Sequence, residues 1–150
     1  MDSPLRGGPW VRGERMRSNM AHLFTFRTSR FDIRAEDPNP INPIPGQSVL
    51  LWLRAQLAGA QCAVTEPSAE DWGWYVDVEL GGAHYLVGAS ADLPEPSREV
   101  EWMVQVEKHR SLRDKFLGQN KMAADDPLVA LIERTLRTDT MILTVTSTSG

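Results

Sequence analysis

Glu66, Glu70 and Asp71 are the best candidate carboxylate cluster in the chain. Two acids held together can act as general acid and base, and three can hold a divalent ion through oxygen. The cluster lies in the polar run Glu66-Pro67-Ser68-Ala69-Glu70-Asp71, which reads as a loop just before a strand. No base or third ligand type stands beside it, so a solvated acidic loop is the plainer reading. His84 with Glu79 is a second candidate pair, and an ordinary cross-strand contact explains it equally simply.

Other chemistries lack their residues. The histidines are His22, His84 and His109, and the single cysteine is Cys62. No two of them have ligand spacing, so neither a structural zinc site nor a tightly bound transition metal is expected, and no cofactor is implied. Cys62 sits in a short apolar stretch, as an inert buried thiol would. Gly88-Ala89-Ser90-Ala91 lacks the second glycine of a nucleophile elbow. Gly81-Gly82 reads as a hairpin turn and not as a phosphate loop.

Binding residues are better represented. Trp72 is edged by Glu70 and Asp71, and a part-exposed tryptophan there would anchor a partner. Trp52, off the leucine stripe of its helix, is a second aromatic candidate. From Glu66 to Glu101 the chain has nine acids and one base, Arg98. From Lys108 to Lys121 it has five bases and one acid, Asp114.

These residues need elements to position them. His22–Phe31 is aromatic and β-prone, and reads as a strand. Four prolines between Pro38 and Pro45 impose a stiff extended loop. A helix starts between Pro45 and Ser48, buries Val49, Leu50, Leu53 and Leu57, and ends at Gly59. Cys62–Thr65 is a short strand. Trp72, Trp74, Val76, Val78 and Leu80 alternate with polar or small residues, the pattern of a half-buried strand. A two-residue Gly-Gly turn then pairs Leu80 with Ala83, Val78 with Tyr85, Val76 with Val87 and Trp74 with Ala89, all on one face. The opposite face pairs Glu79 with His84 and Asp77 with Leu86.

Residues 91–97 read as a loop. Glu99–Lys108 alternates again, with Val100, Trp102, Val104 and Val106 inward and Glu99, Glu101, Met103, Gln105 and Glu107 outward. Ser111–Leu117 reads as a short helix. Asp126 caps a last helix with Pro127 at its first position and a stripe of Leu128, Val129, Leu131, Ile132 and Leu136.

The predicted order is β-α-β-β-β-β-α-α. It implies an α+β fold: a mainly antiparallel sheet with two or three helices on one face, as a two-layer sandwich. Asp77, Glu79, Glu99 and Glu101 then share the outer sheet face.

The chain has 150 residues and a formal net charge of −4, enough for one domain. Its apolar runs, such as Val49–Leu53, are far short of a membrane span. Residues 1–19, broken by glycines and rich in arginine, read as a disordered tail; 20–140 as the domain; 141–150 as a strand or a frayed tail. One cysteine and no secretory h-region suit a cytoplasmic protein.

The run Glu70-Asp71-Trp72-Gly73-Trp74-Tyr75, the Gly-Gly hairpin and Glu101-Trp102 resemble small bacterial α+β proteins of unassigned function, some similar to immunity or interaction modules. That resemblance implies a small interaction protein and transfers no catalytic residue. Two functions therefore compete. One is a non-enzymatic module whose binding residues, Glu70, Asp71, Trp72, Asp77, Glu79, His84, Glu99 and Glu101, meet a basic protein partner. The other is a small hydrolase or metal-dependent enzyme built on Glu66, Glu70 and Asp71. Nucleic-acid binding through Lys108–Lys121 ranks below both, because the chain as a whole is acidic.

Overall fold

The computed structural model describes residues 21–91, 100–109, 117 and 125–149. The expected tail at 1–19, Glu99, the 92–99 connection, and most of the predicted Ser111–Leu117 helix lie outside them.

The fold is α+β, an open antiparallel sheet of seven strands with two α-helices among the described residues. The strands are β1 (Ala21–Thr28), β2 (Ala63–Val64), β3 (Ser68–Glu70), β4 (Gly73–Leu80), β5 (Ala83–Ala91), β6 (Val100–Lys108) and β7 (Leu143–Ser149). The helices are α1 (Gln47–Ala58), between β1 and β2, and α2 (Pro127–Thr138), between β6 and β7. The sheet order is β2-β4-β5-β6-β1-β7, with β3 sharing the free edge of β4 with β2.

Two strands correct the predicted order. The stretch read as a loop, Glu66–Asp71, contains β3, whose Ser68 and Ala69 face Tyr75 and Trp74 across the ladder. Three residues are too few to show a period, so backbone pairing alone makes this strand. The C-terminal stretch is no frayed tail: β7 pairs along β1 from His22 to Arg27, with a register shift between Thr25 and Arg27. His22 Nε2 and Ser147 Oγ lie 2.6 Å apart, and the Thr25 and Thr146 hydroxyls also meet, so side chains reinforce that ladder.

The β4–β5 hairpin has the register expected from its turn, with Val76 opposite Val87 and Glu79 opposite His84. Gly81 and Gly82 have φ of 59° and 82°. Two successive positive φ values are what a primed turn requires.

The core forms on one face. Phe24 and Phe26, Trp74, Val76 and Val78, Val87 and Ala89, and Trp102, Val104 and Val106 join one cluster with Leu50, Leu53 and Leu57 of α1 and Leu128, Ile132 and Leu136 of α2. Burying an aliphatic side chain contributes about 1.5–3 kcal/mol, so both helices are fixed by their apolar stripes. Gln105, on the outward register as expected, faces away from that cluster and is fully buried, with Leu23 and Gly88 as its cross-strand neighbours.

Helix α1 starts without a capping side chain of its own, because Gly46 occupies the cap position. The Glu36 carboxylate substitutes. It accepts from Gly46 N at 3.1 Å, Ser48 N at 2.8 Å and Ser48 Oγ at 2.6 Å. An acid at a helix N-terminus also opposes the positive end of the helix dipole. The proline-rich loop is thereby closed onto the helix it precedes.

Candidate functional site

The candidate residues fall at two ends of the outer sheet face, each bordered by a concavity. The first is a cleft of about 510 Å³ across β2, β4, β5 and the end of β6. Register explains its composition. Asp77, Leu86 and Glu107 stand in one row across β4, β5 and β6, and Glu79 faces His84 in the next. His109 N donates to His84 O at 2.7 Å, which carries His109 into the same cleft. Val64 and Leu86 supply apolar lining.

One wall is fixed by β2. Thr65 N donates to Asp77 O at 3.0 Å, and Asp77 N donates to Thr65 Oγ1 at 2.9 Å. Arg54 of α1 donates to Val64 O at 3.1 Å and lies 3.3 Å from Glu66. Glu66 is therefore held at α1, and it does not line the concavity that contains Asp71.

The second concavity, about 440 Å³, lies at the opposite end of the face. Asp71, Trp72, Glu101, Trp102, Met103 and Ile44 are among its lining residues. The turn that presents Asp71 and Trp72 is pinned by two asparagines of the proline-rich loop. Asn39 Nδ2 donates to Glu70 O at 3.0 Å and Gly73 O at 2.9 Å, and Asn42 Nδ2 donates to Asp71 O at 2.7 Å.

Trp72 corrects an expectation. The alternation predicts an inward, part-exposed side chain beside Trp74, but Trp72 is buried and stands outside the main core cluster. Its ring lies 6.4 Å from that of Tyr75 and lines the cavity with Met103, an outer-face residue. Gly73 is the cause. Its φ of +148° breaks the alternation, and a Cβ there would meet Ala89 O. The strand pattern starts one residue later than the sequence suggests.

The other candidates have local explanations. Trp52 is half-buried against Phe31, with the Arg30 guanidinium 5.5 Å from its ring centre. Burial pushes the Cys62 thiol pKa up, which lowers its thiolate fraction. His22 is buried on the core face, away from His84 and His109, and burial lowers its pKa against the opposing pull of Glu133 and Asp126. Lys108, counted with the basic stretch, turns to the core face. Its Nζ lies 3.1 Å from Asp126 Oδ2 and 5.6 Å from the Tyr85 ring centre. That removes one cation from any basic surface around Lys108–Lys121, whose remaining bases lie outside the described residues.

Sequence reasoning assigned Glu107 and His109 no place in the binding surface. Glu107 was already on the outward register. His109 required knowing that β5 and β6 are neighbours. Arg27 was also missed: it faces Glu101 across the β1–β6 ladder, so the acidic face is not uniform. Among the described residues, no three or more His, Cys, Asp or Glu side chains are placed to hold a metal ion. No family model, curated protein or solved structure matches the chain.

Proposed function

We propose that the protein is a non-enzymatic interaction module that receives a basic side chain of a protein partner in the Asp77–Glu79–His84 cleft. One observation carries this reading: Asp77, Glu79 and Glu107 border a cleft with apolar lining, and no lysine or arginine is among its described lining residues. A lysine or arginine has that dual character, an apolar stem and a cationic head. Clustered acids also raise the encounter rate with a basic partner. The resemblance to immunity-like modules, the two-layer α+β arrangement and a bacterial cytoplasmic setting belong to the same proposal.

The test is a titration of the labelled protein with an oligolysine peptide, followed residue by residue by amide NMR. Shifts should concentrate at Asp77, Glu79, His84 and Glu107 and weaken as salt rises through about 0.15 M, where the Debye length is about 8 Å. The Asp77→Lys/Glu79→Lys variant should lose them while keeping its dispersed spectrum. Shifts scattered over the whole surface, or unchanged in that variant, would refute the reading.

A further inference from the structure

The chain before β1 joins the sheet at the edge of the acidic cleft. Ala21, the first residue of β1, faces Glu107, which lines the cleft. Glu107 faces Leu86 and Leu86 faces Asp77, so the four stand in one row across the sheet. Strand β1 runs antiparallel to β6, whose end leads to His109 at the same rim. The segment that precedes Ala21 therefore starts beside the cleft.

That segment has the opposite charge. Residues 12–17 read Arg-Gly-Glu-Arg-Met-Arg, three arginines to one acid. Asp77 and Glu79 are exposed, and neither has an ion-pair partner among the described residues. Two acids on one strand face repel each other, and a cation between them relieves that repulsion. Reach decides which arginines fit. Neighbouring strands lie about 4.8 Å apart, so Asp77, three strands from Ala21, is about 14 Å away. An extended backbone covers about 14 Å from Ala21 back to Arg17 and about 20 Å back to Arg15. Both side chains can therefore reach Asp77 and the Glu79–His84 row.

We infer that residues 12–17 occupy the Asp77–Glu79 cleft as an intramolecular ligand and compete there with the basic partner. The inference rests on the reading of that cleft as a receptor for basic side chains, and it adds the regulation of the site. Tethering makes the contact effective: a short linker gives a local concentration in the millimolar range, so pairs too weak to hold a separate peptide hold a tethered one. A partner must displace Arg15 and Arg17, and its apparent affinity falls in proportion to the fraction of clefts left open.

The test compares amide NMR spectra of the full chain with those of its Arg12→Gln/Arg15→Gln/Arg17→Gln variant, each alone and titrated with oligolysine. Without peptide, the differences should concentrate at Asp77, Glu79 and His84, and added salt should move the parent's signals toward the variant's. With peptide, the variant should bind at least about threefold tighter, as it would if the segment held two clefts in three. In the Asp77→Lys/Glu79→Lys background the same three substitutions should leave the His84 and Leu86 signals in place. Arg6→Gln, farther from Ala21, is the control for net charge and should not move the cleft signals. No difference at the cleft, an equal difference from Arg6→Gln, or oligolysine bound by both chains with equal affinity would overturn the inference. Cleft differences with no oligolysine binding by either chain would refute the partner reading and support the segment as the cleft's own ligand.

Discussion

The Lys108 ammonium lies 3.1 Å from the Asp126 carboxylate, with the lysine side chain 12% exposed and the aspartate 0%. The same carboxylate accepts from Leu128 N and Val129 N at the start of α2 and from the Tyr85 hydroxyl at 3.0 Å. One acid thus joins a helix cap, a sheet strand and a buried cation. Burial, together with the Asp126 carboxylate beside it, also pushes the Tyr85 pKa well up.

Removing the acid alone should be severe. Asp126→Ala leaves Lys108 without its counter-charge and α2 without its cap, and the loss of one partner of a buried pair costs about 3–5 kcal/mol. Lys108→Met combined with Asp126→Asn keeps a capping oxygen and removes both charges. In urea denaturation the double variant should be more stable than Asp126→Ala. If the two variants were equally unstable, the pair would have little to do with stability.

The core tryptophans come next. Trp74→Ala and Trp102→Ala should each cost roughly 3–5 kcal/mol, because both side chains are buried in the main cluster. Soluble, cooperatively unfolding variants with losses under about 1 kcal/mol would contradict their placement.

Glycine substitutions separate strain from collision. Gly73→Ala meets both a positive φ and the Ala89 carbonyl, whereas Gly81→Ala meets a positive φ in open space. The first should lower stability clearly more than the second, where strain alone costs about 1–2 kcal/mol. Thermal melts of the two variants side by side decide it, and equal losses would remove the collision argument.

Acid sensitivity should trace partly to His22. Burial lowers its folded pKa below the ordinary value near 6.5, while the unfolded chain keeps that value. Between the two values the unfolded state binds more protons, so stability falls as pH drops below about 6.5 and levels off below the folded pKa. His22→Gln should flatten that part of the curve. A variant with the parent slope between pH 6.5 and 5 would exclude His22 as the source.

Legibility followed the period of the pattern. The β4–β5 register could be read because a two-residue turn and a period of two leave one consistent pairing. The α2 cap could be read because Asp126-Pro127 before an apolar stripe is a local signal. Trp72 was misplaced because one glycine changes parity, and a glycine in a strand looks the same whether it is regular or bulged. Strand β3 was obscure for another reason: Ser and Ala carry little apolar contrast, so pairing partners decide, whereas the β-prone stretch that holds β7 was legible as a strand with a frayed tail as its alternative. Lys108 was read as surface charge because nothing local announces a buried acid eighteen positions away. The cavities combine side chains from distant segments, Ile44 with Met103 in one case, and no spacing rule reports that.

The place of β1 between β6 and β7 has a consequence for biosynthesis. Of the described strands it leaves the ribosome first, yet both neighbours that hydrogen-bond to it are translated much later. Phe24 and Phe26 must wait, apolar and unpaired, while the β4–β5 hairpin can close from local contacts alone. The nascent chain therefore passes through a period in which β1 has an open edge on both sides, the condition that invites association with other chains. Slowing translation after β6 would leave that strand paired on one side only, and lowering the growth temperature or supplying a chaperone should raise the soluble yield more than any single change to the mature surface.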